Sequence, residues 1–216
     1  MKALARFIVA PVLALSVSSA HASVLKMEKG PRSIEGVNIS KSAVATIEKT
    51  ETQLGTVGAG LRWKKVLFSK VKVYVAELLV SSPQRFIKKD SEALKSLDDS
   101  DVVAIRMTFL RTVEADKVQT SFRDALSANK VDTATPSIKT FLGAVSKGGD
   151  AASGGHLTIL VKKHSDGSET LIYEDTAGKQ TVLVGERGMT QKIFSIWLGV
   201  PADDGVASLK NDLLTP

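Results

Sequence analysis

Apolar and polar positions alternate with a period of two along much of this chain and switch to a helical period in a few stretches. Val66 to Val80 gives the strongest strand signal, with Val71, Val73 and Val75 on one face and Tyr74, Ala76, Leu78 and Val80 on the other. Both faces are apolar in its second half, which predicts a strand covered on both sides. Ser81-Ser82-Pro83 ends it. Val37 to Ile47 alternates weakly and fits one or two short strands, and Leu54 to Arg62 is a glycine-rich apolar strand. In Val102 to Phe109, Val103, Ile105, Met107 and Phe109 alternate against Arg106 and Thr108. Leu157 to Val161, Thr170 to Tyr173 and Gln180 to Val184 form a meander, with Asp166-Gly167 and Ala177-Gly178 in its turns.

The helical stretches are fewer. Glu92 to Leu97 predicts a short helix. Glu114 to Ala128 brings Val118, Phe122, Ala125 and Leu126 onto one face, with acidic residues in its first turn. Thr135-Pro136 opens a helix carrying Ile138, Phe141, Leu142 and Val145. Thr190 is the expected cap of a helix with Ile193, Ile196 and Trp197, stopped by Gly199 and Pro201. A last helix starts near Asp204 and aligns Val206, Leu209 and Leu213. Sequential strands with few helical crossovers predict an α+β fold: a mostly antiparallel sheet with helices on one face.

Composition narrows the class. The 216 residues, 43% hydrophobic, suffice for a single core, and the chain has no cysteine. Lys2 and Arg6, the apolar run Phe7 to Val17 and Ala20-His21-Ala22 read as a signal peptide over residues 1–22, cleaved before Ser23. Residues 23–36 mix Lys, Glu, Gly and Pro and read as a flexible lead-in to a domain over 37–216. The expected location is periplasmic or secreted, with no stable membrane anchor after cleavage. Losing Lys2 and Arg6 lowers the net charge from +6 to +4. The remaining charges are dispersed and aromatics are few, which argues against nucleic acid.

The candidate chemistry centres on one arginine. Gly58-Ala59-Gly60-Leu61-Arg62 leads into the Val/Leu-rich strand that contains Tyr74. A guanidinium is always charged and presents a planar fork of donors, so an inward Arg62 needs an acceptor. Beside an apolar wall it would suit an acidic or carbonyl-bearing ligand. The alternative is a surface arginine held by an acidic neighbour. Gly55, Gly58 and Gly60 lack phosphate-loop spacing and precede a strand, so close backbone approach or a bulge is their expected use. Phe68, Leu78, Val118, Phe122 and Trp197 read first as core and second as pocket wall. His156 and His164, without cysteine or paired acids, argue against a metal site or a Ser-His-Asp triad. No cofactor is expected.

Several blocks in order resemble the chalcone isomerase-like family, in its bacterial exported branch. They are Gly58 to Arg62, Lys72-Val73-Tyr74-Val75-Ala76-Glu77-Leu78, Met107-Thr108-Phe109-Leu110-Arg111 and Lys147-Gly148-Gly149-Asp150. Val184-Gly185, Phe194 to Pro201 and Leu209 to Leu214 complete the set, so that the likeness spans Val37 to Leu214. The resemblance implies an open-faced β-sandwich around a ligand cleft. Plant members cyclise chalcones with an arginine helped by threonine, tyrosine, asparagine and a small hydroxyl residue. Related proteins bind fatty acids with the same arginine and a tyrosine. Arg62 matches the arginine, and Tyr74 stands at the threonine position, as in the binders. The catalytic tyrosine, asparagine and small hydroxyl fall near Glu114, Ser121 and Ile196. The expected function is therefore non-catalytic binding of a small apolar acid, with a fatty acid as one candidate, by Arg62 and Tyr74. The alternatives are an isomerase (an intramolecular lyase) acting on an enolisable or phenolic substrate, and a partner-binding envelope protein with a filled core.

Overall fold

The structure, a computed structural model, describes residues 23–215, and the expected signal peptide lies outside them. Eight strands form one sheet in strict chain order, every neighbouring pair antiparallel: β1 (Leu25–Ile34), β2 (Val37–Ile47), β3 (Thr50–Val66), β4 (Ser69–Val80), β5 (Val102–Phe109), β6 (His156–Lys163), β7 (Glu169–Glu174) and β8 (Gln180–Gly185). α1 (Asp90–Ser96) lies between β4 and β5, and α2 (Ala115–Ala128) and α3 (Pro136–Lys147) between β5 and β6. α4 (Met189–Leu198) and α5 (Asp204–Leu214) follow β8. The α+β expectation holds, with a sheet that is wholly antiparallel.

Period-two alternation gives β4 and β5 two different apolar faces. Tyr74, Ala76, Leu78, Ile105, Met107 and Phe109 pack with Val118 and Phe122 of α2, Phe141 of α3 and Ile193 and Trp197 of α4. On the reverse face, Leu79, Ala104, Leu160 and Ile172 meet Val24, Leu25, Ala43, Ala45 and Ile47. The sheet must therefore bend until β1 and β2 lie behind its middle. Register shifts within β1 and β3 supply the irregularities that permit such bending. Buried carboxylates pin the returning strands: Glu77 accepts from Ser40 N (2.6 Å), and Glu174 accepts from Val24 N (2.8 Å) and Ser23 Oγ (2.7 Å).

Several local expectations need correction. The segment expected as a flexible lead-in forms β1, because Val24 and Leu25 find apolar cover behind the sheet. The long run from Val66 is broken by a turn at Leu67 (φ 55°), so β4 starts at Ser69 and Phe68 is fully exposed. Thr190 is not the cap of α4. Gly188 holds that position at φ 88°, and Thr190 N and Oγ1 both donate to buried Glu169, which also takes Gly188 N.

The glycines of β3 serve close approach. A Cβ at Gly58 would lie 2.0 Å from the Leu213 carbonyl oxygen, and one at Gly60 would lie 2.4 Å from Asp212 Cβ. Their absence lets α5 lie directly on β3, which places the N-terminus of α5 against Arg62.

Candidate functional site

Arg62 and Tyr74 are direct partners across β3 and β4. Arg62 is 4% exposed, and its Nη2 donates to Asp203 Oδ2 at 2.6 Å. The other oxygen of Asp203 accepts from Gly205 N and Val206 N, capping α5. One carboxylate thus joins the arginine to a helix start. Burial pushes the Asp203 carboxyl up, but the bonds from Arg62 and the two α5 amides outweigh it and hold the group below the usual aspartate range. A Cβ at Gly205 would stand 1.8 Å from the Trp63 carbonyl oxygen and 2.2 Å from Arg62 Nη1. Arg62 Nη1 is buried and has no hydrogen-bond partner. Such a donor costs free energy unless something accepts from it.

Tyr74 completes the pair. Its hydroxyl accepts from Trp197 Nε1 at 3.1 Å, and its ring lies 5.4 Å from that of Phe109. Burial pushes the phenol pKa up against the opposing pull of Arg62, so Tyr74 is a neutral hydroxyl at physiological pH. Trp197 leaves the Tyr74 proton free to be donated. Tyr74→Phe would strand the buried indole N–H, and a stability loss of about 1–3 kcal/mol is expected in urea unfolding. An unchanged midpoint would show that the bond contributes nothing.

Arg62 and Tyr74 both line a cavity of about 710 Å³. Its apolar wall comes from Val71 and Val73 of β4, Phe109 of β5, and Val113, Val118 and Phe122 around α2. Lys64, Arg111, Lys117, Glu114, Asp116 and Asp124 supply charges of both signs. Glu114 and Ser121, near which the resemblance would put the tyrosine and asparagine of the plant isomerases, also line it, whereas Ile196 is packed in the core. Of the apolar set, Val118 and Phe122 reach the cavity, Leu78 and Trp197 are core, and Phe68 is at the surface. Arg62 thus stands between the packed N-terminus of α5 and this cavity. Among the described residues no cluster has the makings of a metal site. His156 and His164 contact Thr108 and Thr170.

Asp203 and Gly205 are the site residues that sequence reasoning missed. An aspartate before a helix carries the signal of a cap, but not of a partner 141 positions away. A family profile described as chalcone isomerase-like matches residues 31–215. The chain belongs to the chalcone isomerase-like family. The family fold recurs in the crystal structure of an Arabidopsis thaliana fatty-acid binding protein, to which this chain is similar with a TM-score of 0.51 and 14% identity. The match covers 79% of this chain and 95% of the plant protein. At that identity the likeness establishes the fold. No curated protein matches the sequence.

Proposed function

We propose that this protein is an exported, non-catalytic binder of a small apolar acid, with a long-chain fatty acid as the leading candidate. The observation that carries this reading is a buried arginine with an unpartnered Nη1 that lines, together with Tyr74, a cavity with an apolar wall. A carboxylate there would accept from both groups while its chain lies along Val73, Val118 and Phe122. Each buried methylene contributes about 0.8 kcal/mol and a charged hydrogen bond about 1.5–3 kcal/mol. The tail would dominate affinity and the arginine would set orientation. A similar fold in a fatty-acid binding protein supports the reading. Export rests on the signal-like residues 1–22.

Arg62 would also suit a developing oxyanion, which keeps the isomerase reading testable. One preparation, expressed from the full sequence in a secreting bacterial host, separates the readings. Mass spectrometry is expected to find co-purifying acyl acids and a polypeptide that begins at Ser23. Val118→Trp, which fills the cavity, is expected to remove most of the acids. Acid-free protein, or equal content in Val118→Trp, would defeat the binding assignment. Chalcone turnover above the uncatalysed rate, abolished in Arg62→Ala, would establish the isomerase instead.

A further inference from the structure

The β3–β4 hairpin outruns the sheet. β2 pairs with β3 only as far as Gly55, and β5 pairs with β4 only from Tyr74 onward. Past Arg62 and Tyr74 the two strands pair with each other, and Leu110 N adds one bond to Val73 O. Val66 stands roughly 13 Å beyond Arg62 at about 3.3 Å per residue. The apex is Val66, Leu67 and Phe68, which are 49%, 84% and 100% exposed. Leu67 adopts φ 55°, a conformation that is costly for a bulky residue, and so the turn presents Leu67 and Phe68 outward.

Lysines flank this apolar apex, and one of them, Lys72, is paired with Glu35 at 2.6 Å. Lys64 faces the cavity, whereas Trp63, Lys65, Lys70 and Lys72 share the opposite face. Lys65 stands directly across from Lys70, a like-charge pairing that is unfavourable without an anion nearby. Neither Lys64 nor Lys65 has an ion-pair partner among the described residues. Lys70 sits 4.2 Å from the centre of the Trp63 ring, and tryptophan favours the boundary between water and lipid.

We infer that the β3–β4 hairpin is a membrane-docking device, which seats Leu67 and Phe68 in an anionic bilayer surface with the lysines at the headgroups. A projecting apolar tip with cations on both sides matches a planar anionic surface that has an apolar interior. A groove on a protein would be met by one face of the hairpin. The reach beyond the sheet suffices for the 5–10 Å depth of interfacial insertion. Among the described residues no helix is long and apolar enough to cross a membrane. Lys64, Val66, Val71 and Val73 belong to both the hairpin and the cavity wall, so docking brings the cavity alongside the lipid. This inference goes beyond acid binding and holds whatever the cavity contains.

Sedimentation with vesicles of phosphatidylglycerol mixed with phosphatidylcholine, against phosphatidylcholine alone, tests it. Binding is expected to the mixture, weakening with salt, together with a blue shift of Trp63 emission that disappears in Trp63→Phe. Leu67→Ser with Phe68→Ser should weaken binding on the order of 100-fold. Lys64→Gln with Lys65→Gln should weaken it about 20-fold and flatten the salt dependence. Lys64, Lys65, Leu67 and Phe68 are solvent-exposed and Trp63 is half-buried, and unchanged urea midpoints would confirm folding. Absence of binding, equal binding to both vesicles, or full binding by the serine variant would overturn the inference. Phe68-dependent self-association without vesicles would assign the tip to a second copy instead. None of these readouts depends on acyl acid in the cavity, so failure of the acid-binding reading is seen separately.

Discussion

Arg62→Met is expected to weaken binding of a long-chain acyl acid about 10-fold or more, and binding of its methyl ester far less. Methionine preserves much of the buried stem and removes the fork. In the proposed binding mode the acid would lose its contact with Arg62 and gain an uncompensated neighbour in Asp203, whose carboxylate no longer has the guanidinium beside it. The ester carries no charge and depends mainly on the tail. Fluorescence displacement with both ligands measures the two affinities. Equal losses for acid and ester would make Arg62 a packing residue. Adding Asp203→Asn to Arg62→Met should restore part of the acid's affinity, because neighbours in one charge network couple.

The second large effect is on stability. Asp203→Ala is expected to cost about 4 kcal/mol, read from the urea midpoint. Loss of the α5 cap accounts for roughly 1 kcal/mol. Leaving a buried guanidinium without its partner accounts for the rest, at the lower end of the 3–5 kcal/mol typical of broken buried pairs. The lower end applies because the Asp203 side chain is itself 40% exposed. Asp203→Asn keeps a capping oxygen and removes the charge, so it isolates the second contribution. The pH dependence has a definite sign. A carboxyl held below its ordinary value of 3.8 contributes stability that is present above that pH and lost as pH falls below it. Wild type should lose α5 docking on that acid limb, and the asparagine variant should lack this component. A midpoint unmoved by Asp203→Ala would show that Arg62 is satisfied by something else.

Strands and helices were legible wherever one face is apolar and the other polar. α2, α3 and β8 follow their periodicity closely, since burial on one side imposes the pattern that the sequence displays, whereas β5, β6 and β7 are buried on both faces and were legible as short apolar runs between turn residues. Where burial comes from distant chain the pattern is weak, and β1 read as a loose lead-in for that reason. Leu67 and Phe68 extend an apolar run, so the turn between β3 and β4 was hidden. Local apolarity does not reveal whether a side chain meets a core or projects beyond one.

By itself the sequence determined the α+β class, a mostly antiparallel sheet of sequential strands and the family blocks that single out Arg62 and Tyr74. These depend on local periodicity and on motifs a few residues long. The tertiary structure alone decided that Arg62 is buried, that Asp203 takes one of its nitrogens and leaves another unpartnered, and that Trp197 holds the Tyr74 hydroxyl. Those contacts join residues more than a hundred positions apart, brought together when α5 settles on the glycines of β3 and α4 closes over β4. A charge's environment is set by what folds against it, and no local pattern carries that information.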